Sequence, residues 1–407
     1  MNAARGQGVA FSVAVAALGY FVDLYDIVLF GVVRVASLND LGITGADNTS
    51  WGIHLLNLQM IGMLIGGVFW GVLGDRFGRR LALLATIGMY SLANIANAFI
   101  TNVEQYAVLR FIAGVGLAGE LGMGVTLVAE LMPAKYRGYG TTVISFLGLL
   151  GALTASWIGG LFDWRLAYVV GGVMGLVVMA GRWWGLRESE MFAASRGAAR
   201  HQGDLRLLFR SAPVLLKFLA VIAVGVPIWY ISALFVNLAP EYGKALGLAE
   251  PLTVARVLAW QAVGLALGSA LTGLVSEWLG SRKRVIYACF AGLLVLVTIL
   301  LNLEGASPLH YCIVMFAIGL GQGYWTVFIT TSAEQFGTNL RATVTTSVPN
   351  FVRAMIVPIT LSVSALAPAM GWIPATLAVG AVVIVLAFAA LASLAETYGR
   401  DLNFAEK

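Results

Sequence analysis

Apolar runs long enough to cross a bilayer, separated by short charged turns, constrain this chain before anything else. A helix of about 20 apolar residues spans the hydrocarbon layer. In lipid each backbone polar group must be satisfied within its own segment, so runs of this kind become helices. Composition agrees: 59% of the residues are apolar and 11% charged, far from soluble globular usage. The predicted fold class is an all-α membrane protein with twelve transmembrane helices. The first six are expected near 9–36, 51–74, 80–100, 105–131, 139–161 and 164–185. The second six are expected near 213–238, 256–279, 284–302, 308–333, 342–367 and 371–395. The run from Val9 is not followed by a small-residue cleavage site and a soluble domain, so no cleavable leader is expected.

The turn Gly71 to Arg80, GVLGDRFGRR, has a near-copy in Gly273 to Arg284, GLVSEWLGSRKR. Gly71 matches Gly273, Asp75 matches Glu277, Gly78 matches Gly280 and Arg80 matches Arg282 at a spacing of 202 residues. Glu130 with Arg137 and Glu334 with Arg341 form a second matched pair, 204 residues apart. Two marks at nearly one spacing indicate a duplicated unit. The expected organisation is a six-helix bundle over 1–186, a polar linker over 187–212 and a second six-helix bundle over 213–407. The end of the linker, DLRLLFR, suits a short amphipathic turn on the membrane surface.

Charge placement predicts orientation. One face collects Arg5, Arg76, Arg79, Arg80, Lys135, Arg137, Arg182, the linker arginines, Arg282, Lys283, Arg284 and Arg341. The other has Arg34, Arg165, Lys244 and Arg256 among acids such as Asp40, Asp47 and Glu104. The positive-inside rule then puts both termini in the cytoplasm of a multi-pass inner-membrane protein. The net charge of +5 is a membrane edge, without the patch and aromatic interleaving of a nucleic-acid binder. Cys289 and Cys312 lie in apolar runs, and three histidines are too scattered for a metal cluster, so no disulfide framework, metal or cofactor is expected. No nucleophile–base set or phosphate-binding loop suggests an enzyme.

Asp23, Asp26, Arg110, Glu120 and Arg353 fall inside predicted spans. A charge there is expensive and is by default a functional candidate, the alternative being an ion pair that locks helices, strongest for Arg110. Asp23 and Asp26, three residues apart in GYFVDLYD, share one side of a helix. Burial and like-charge repulsion both favour a protonated carboxyl, so either could carry a proton near neutral pH. Glu120 is the further proton-coupling candidate. Arg110 is a structural or coupling charge with Asp26 as its expected partner. Arg353, with Asn350 one turn earlier, either neutralises an acid or holds a solute's carboxylate or phosphate. Pro349 and Pro358 are expected to break the helix around it.

Polar and aromatic residues at mid-helix extend the set of substrate-binding candidates: Asn57, Tyr230, Gln322, Tyr324 and Trp325. Gln59, Trp229, Asn237 and Gln261 are further polar or aromatic positions. For all of them the competing reading is interhelical hydrogen bonding or an interfacial aromatic belt.

GVLGDRFGRR is similar to the signature loop of the major facilitator superfamily between its second and third helices, and Arg110 with FIAGVG resembles its fourth-helix signature. GVGLAGELGMGVTLVAELMPAKYRG most resembles the metabolite:proton symporters and related organic-acid and sugar-acid carriers. GYFVDLYD resembles the first-helix acidic motif of aromatic-acid and phosphate symporters. The resemblance implies two pseudo-symmetric six-helix bundles around a central solute cavity, the major facilitator fold, worked by alternating access. It implies a gate of Asp75, Arg76, Arg79, Arg80, Glu130 and Arg137, with Glu277, Arg282, Glu334 and Arg341 as second-half partners. The sparser SEWLGSRKR predicts a weaker second gate. The expected function is proton symport of a small organic anion, by a monomer whose partners are solute, protons and lipids. The competing expectations are a proton-coupled exporter of a drug, siderophore or metabolite, and a membrane sensor that does not transport.

Overall fold

The computed structural model describes residues 2–120, 137–185 and 211–399, with side chains at 2–10, 12–13, 74–77, 79, 137–145, 185, 338–339, 341–343 and 345–346 outside the described set. Glu130 and the expected linker up to 210 therefore lie outside the described residues, as do the side chains of Asp75, Arg76, Arg79, Arg137 and Arg341.

The chain divides into two compact units, Met1–Gly203 and Asp204–Lys407. The first contains α1 (Asn2–Asp40), α2 (Gly45–Phe77), α3 (Arg79–Asn97), α4 (Val103–Leu117), α5 (Arg137–Leu161) and α6 (Trp164–Gly185). The second contains α7 (Ala212–Ile231), α8 (Ala239–Ala245), α9 (Val254–Leu279), α10 (Arg282–Leu301) and α11 (Pro308–Gln322). It continues with α12 (Trp325–Glu334), α13 (Thr338–Ala354), α14 (Ile356–Met370) and α15 (Trp372–Ser393). Among the described residues nine helical stretches are long and apolar enough to cross a membrane. Trp184 and Trp278, 84% and 83% exposed, belong to the apolar exterior that such spans present.

Local chemistry explains the boundaries. The side chains of Asn102, Thr253 and Ser281 accept hydrogen bonds from the backbone N–H groups of Gln105, Arg256 and Arg284, capping α4, α9 and α10. The matched glycines Gly78 and Gly280 turn the chain with φ of 102° and 58°, where a side chain would be strained. Pro227 lies inside α7, which passes into a π-helical turn over Ser232–Val236.

One kind of packing joint occurs in each unit. In the first, α2 crosses α4 so closely that a Cβ on Gly62, Gly66 or Gly114 would lie 2.4, 2.3 or 2.1 Å from a backbone oxygen of the facing helix. In the second, α9 crosses α11 in the same way, and a Cβ on Gly264, Gly268 or Gly319 would meet backbone oxygen at 2.1, 2.1 or 2.3 Å. Small residues of this kind let helices approach where lipid removes the hydrophobic drive between them. α1 packs mainly on α5 and α6, and α3 on α4 and α6; α7 packs mainly on α15 and α13.

Three expected continuous helices are interrupted. Regular helix in α4 ends at Leu117, with a turn at Ala118–Gly119 before Glu120. The span expected over 308–333 breaks between Gln322 and Trp325. Side chains from the crossing helix satisfy backbone oxygens at both breaks: Trp70 Nε1 donates to Val115 O (2.7 Å) and Thr272 Oγ1 to Gly323 O (2.8 Å). That is what a break inside an apolar layer requires. The third interruption, at Met355, separates α13 from α14 one residue beyond Ala354 and between Pro349 and Pro358.

Candidate functional site

In the first unit the buried polar groups line up along α1. Asp23 and Asp26 are both 0% exposed. Arg110, also fully buried, reaches across from α4: its Nη1 lies 3.6 Å from Asp26 Oδ1, and its Nη2 donates to Asn94 Oδ1 on α3 at 2.8 Å. The guanidinium is 4.9 Å from the ring centre of Tyr168, a cation–π contact. Beyond it, the hydroxyls of Tyr106 and Tyr168 meet at 2.7 Å, and Ser37 Oγ and Tyr106 Oη at 3.2 Å. The Asp26–Arg110 contact is an ion pair longer than a hydrogen bond, so little geometry holds those two charges to each other.

Glu120 is bound far more tightly. Arg182 Nη1 donates to its Oε1 at 2.8 Å and Nη2 to its Oε2 at 2.7 Å, a bidentate arrangement. Thr86 Oγ1 donates to Oε1 at 2.9 Å. Arg182 Nη1 also reaches Leu83 O at 3.2 Å. Its position near the end of an apolar helix had placed Arg182 among the charges of the membrane face. Instead it is 1% exposed, because α6 rotates it inward against α3 and α1. Arg34, assigned to the opposite face, is likewise 1% exposed.

In the second unit Arg353 is 2% exposed and lies over the indole of Trp229, 5.4 Å from the ring centre. Among the described residues no carboxylate lies within ion-pair distance of it, whereas Arg110 and Arg182 each face one. The indole N–H of Trp229 is buried and donates to nothing among the described residues. Asn350 and Asn57 are 4% and 6% exposed. Trp325 packs on Phe328 at 5.2 Å.

Three expected solute-facing residues have their polar ends engaged within the unit. Tyr230 donates to Thr376 O (2.8 Å), Tyr324 to Val224 O (2.9 Å) and Gln322 Nε2 to Ile228 O (3.0 Å). Gln322 Oε1 accepts from Gln261 Nε2 at 2.6 Å. These groups tie helices together, because a buried polar atom in an apolar layer takes the nearest backbone partner.

At the turn between α9 and α10, Arg282 Nη1 donates to Glu277 (2.7 Å) and Ser276 (3.0 Å), while Nη2 lies 3.7 Å from Glu334. The segment after α15 adds what the sparser loop lacks. Glu396 accepts from Ser281 Oγ and from the backbone N–H groups of Arg282 and Lys283, Thr397 donates to Glu334 at 2.7 Å, and Gln335 donates to Ala395 O at 2.6 Å. Burial pushes the Glu396 carboxyl up, but the bonds from Ser281 and the backbone N–H groups outweigh it and hold the carboxyl below the usual glutamate range. In the first unit Arg80 Nη2 donates to Trp183 O at 2.6 Å, joining α3 to α6.

Residues 16–356 match the family model described as Major Facilitator Superfamily. The chain belongs to the major facilitator superfamily. It is 36% identical over 168 residues to the niacin transporter NiaP of Acinetobacter baylyi, covering 40% of this chain and 37% of that protein. It is 30% identical to the gallate transporter of Pseudomonas putida over 44% of this chain and 40% of that one. The aligned region thus spans well under half the length of these two relatives. The gentisate transporter of Corynebacterium glutamicum aligns over 80% of this chain and 74% of its own at 26% identity. The xylose transporter XylE from E. coli shares the fold, with a TM-score of 0.72 at 18% identity over 97% of this chain and 100% of that one.

Within this major facilitator chain, the pairing of two residues with the buried candidates escaped sequence reading. Arg182 carried a signal only in its sign, since three residues from a helix end a cation reads equally as a surface charge. Trp229 was visible as a mid-helix aromatic after Pro227, but its pairing with Arg353 depends on how α7 and α13 pack.

Proposed function

We propose that this major facilitator is a proton-coupled symporter of a small organic anion carrying a carboxylate, working by alternating access. Arg353 is the observation that carries the reading. A buried guanidinium without an acidic neighbour among the described residues needs an anion, and the adjacent Trp229 N–H offers a second donor to the same group. The relatives' names, transporters of niacin, gallate and gentisate, fit a ring-bearing carboxylate. Asn350 on α13 and Trp325, in the same unit as Arg353, are the further solute contacts in this reading. Asp23 and Asp26 are the proton-carrying pair, and Arg110 is the charge that Asp26 releases when protonated. The gate residues around Arg80 and Arg282 close the cytoplasmic side.

The same reading completes the spans to twelve, in two pseudo-symmetric six-helix bundles over 1–186 and 213–407 joined by the linker. Both termini are cytoplasmic in an inner membrane, and the working unit is a monomer. Uptake of labelled niacin, gallate, gentisate and 4-hydroxybenzoate into proteoliposomes, with and without an inward-acid gradient, tests the function. Accumulation of at least one probe that collapses with the gradient is expected. Equal uptake with and without the gradient would sink the symport reading.

A further inference from the structure

Glu120 and Arg182 form the tightest buried charge pair described, yet the proposed proton carriers lie on another helix. The link between them is Gly19. A Cβ there would lie 1.6 Å from Arg182 Nη2 and 2.8 Å from Glu120 Oε2, so the pair occupies the space that a side chain at position 19 would fill. Asp23 is four residues on and projects from the same face of α1. Arg182 and Asp23 are within electrostatic reach of each other. Tyr90 on α3 stands within reach of Glu120, Arg182, Asp23 and Asp26 together.

Both Glu120 oxygens accept hydrogen bonds, two from Arg182 and one from Thr86. That donor set suits a carboxylate, because protonating Glu120 would cost one of its two charge-assisted bonds from Arg182. Glu120 is therefore badly placed to exchange a proton during each cycle. Its role has to be exerted through its neighbours.

We propose that Arg182 is a positioning residue for proton coupling: paired with Glu120 beside Gly19, one helical turn from Asp23, it cancels the Glu120 charge and so keeps a bare buried charge from displacing the pH at which Asp23 loads. This inference rests on the proton-symport reading above. Of the ionisable groups near this stretch of α1, Tyr90 on α3 and Arg182 on α6 are within electrostatic reach of Asp23 itself. Tyr25 on α1, Arg110 on α4 and Tyr168 on α6 are within reach of the neighbouring Asp26. Glu120, just beyond α4, lies beside Gly19, and Tyr20 is on α1. The described side chains of α5, Phe146–Leu161, include no ionisable group, and His54 on α2 is exposed. The Glu120–Arg182 pair adds no net charge, but either member alone would add one.

The test is the pH profile of gradient-driven probe uptake in proteoliposomes for wild type, E120Q, R182Q and E120Q/R182Q, with thermal melting as a check on folding. E120Q leaves a bare cation near Asp23, so half-maximal uptake moves to lower pH by about one unit. R182Q leaves a bare anion and moves it to higher pH by about the same amount. The double variant restores the wild-type midpoint. Should R182Q not fold, an acid shift in E120Q that vanishes in the double variant supports the proposal. Unmoved midpoints in the single variants, or shifts of the same sign, overturn it and leave the pair a helix lock. Loss of all gradient dependence in E120Q with counterflow intact also overturns it, since Glu120 would then carry the proton. Absence of gradient dependence in wild type would instead remove the symport reading itself.

Discussion

Where α4 leaves regular helix in the first unit, the next buried polar side chain is Glu120, bound to Arg182. Where α11 leaves regular helix in the second, 204 residues on, the corresponding side chain is Tyr324, bound to Val224 O and edge-on to Phe290 at 5.2 Å. The breaks are alike, and so are the glycine joints and the side chains that satisfy the loosened backbone. What differs is the charge. Among the described residues the first unit buries Asp23, Asp26, Arg34, Arg110, Glu120 and Arg182, whereas the buried polar groups of the second, Arg353 apart, are neutral. The two units thus share the form of their joints and differ in buried charge; in the proposed reading the first carries the proton-responsive groups and Arg353 of the second holds the anion.

The division is most exposed to failure at Arg353. Replacing it with glutamine removes a charge-assisted contact of about 1.5–3 kcal/mol, so probe uptake should fall by roughly 10- to 150-fold in kcat/KM, with lysine restoring part of it. Initial-rate uptake measures this, and a glutamine variant that transports normally would end the anion assignment. Next in size are the joints. Gly66→Ala and Gly268→Ala each force a methyl against a backbone oxygen and should cost about 1–3 kcal/mol. Melting in detergent should show both variants lowered by similar amounts, and a drop in only one would break the symmetry of the packing.

Tyr324→Phe should cost about 1 kcal/mol for one neutral hydrogen bond and leave the pH profile of uptake where it was. A displaced profile would mean that the second unit also answers to protons. The smallest effect belongs to Glu396. Its folded-state carboxyl titrates below its unfolded value, so it stabilises above the unfolded glutamate pKa, roughly 4.3, and that stability is lost as pH falls through the lower folded value. Glu396→Gln should melt below wild type at pH 7 and converge with it in the acid range.

Particular residues show how much could be read from the chain alone. Asp23, Asp26, Arg110 and Arg353 stood out as charges in apolar runs, and all four are buried. Gly78 and Gly280 were matched by spacing, and both adopt positive φ. Arg182 was misplaced, because depth can be counted along a helix but rotation cannot. Tyr230, Gln322 and Tyr324 were expected to face solute, and their hydrogen bonds turned out to run to helix backbones. The α9–α10 turn draws its Glu396 contacts from more than a hundred residues further along the chain, so its own stretch of sequence could not show them.

Apolar run length and the place of charges within those runs determined the helical membrane class and the burial of Asp23, Asp26, Arg110, Glu120 and Arg353, since both are properties of one segment and its solvent. Partner choice belonged to the tertiary structure. Whether Arg182 meets lipid headgroups or Glu120, and whether Arg353 meets an acid or an indole, depends on the rotation and crossing of helices far apart in sequence. Those are set by glycine joints whose contacts no single segment contains.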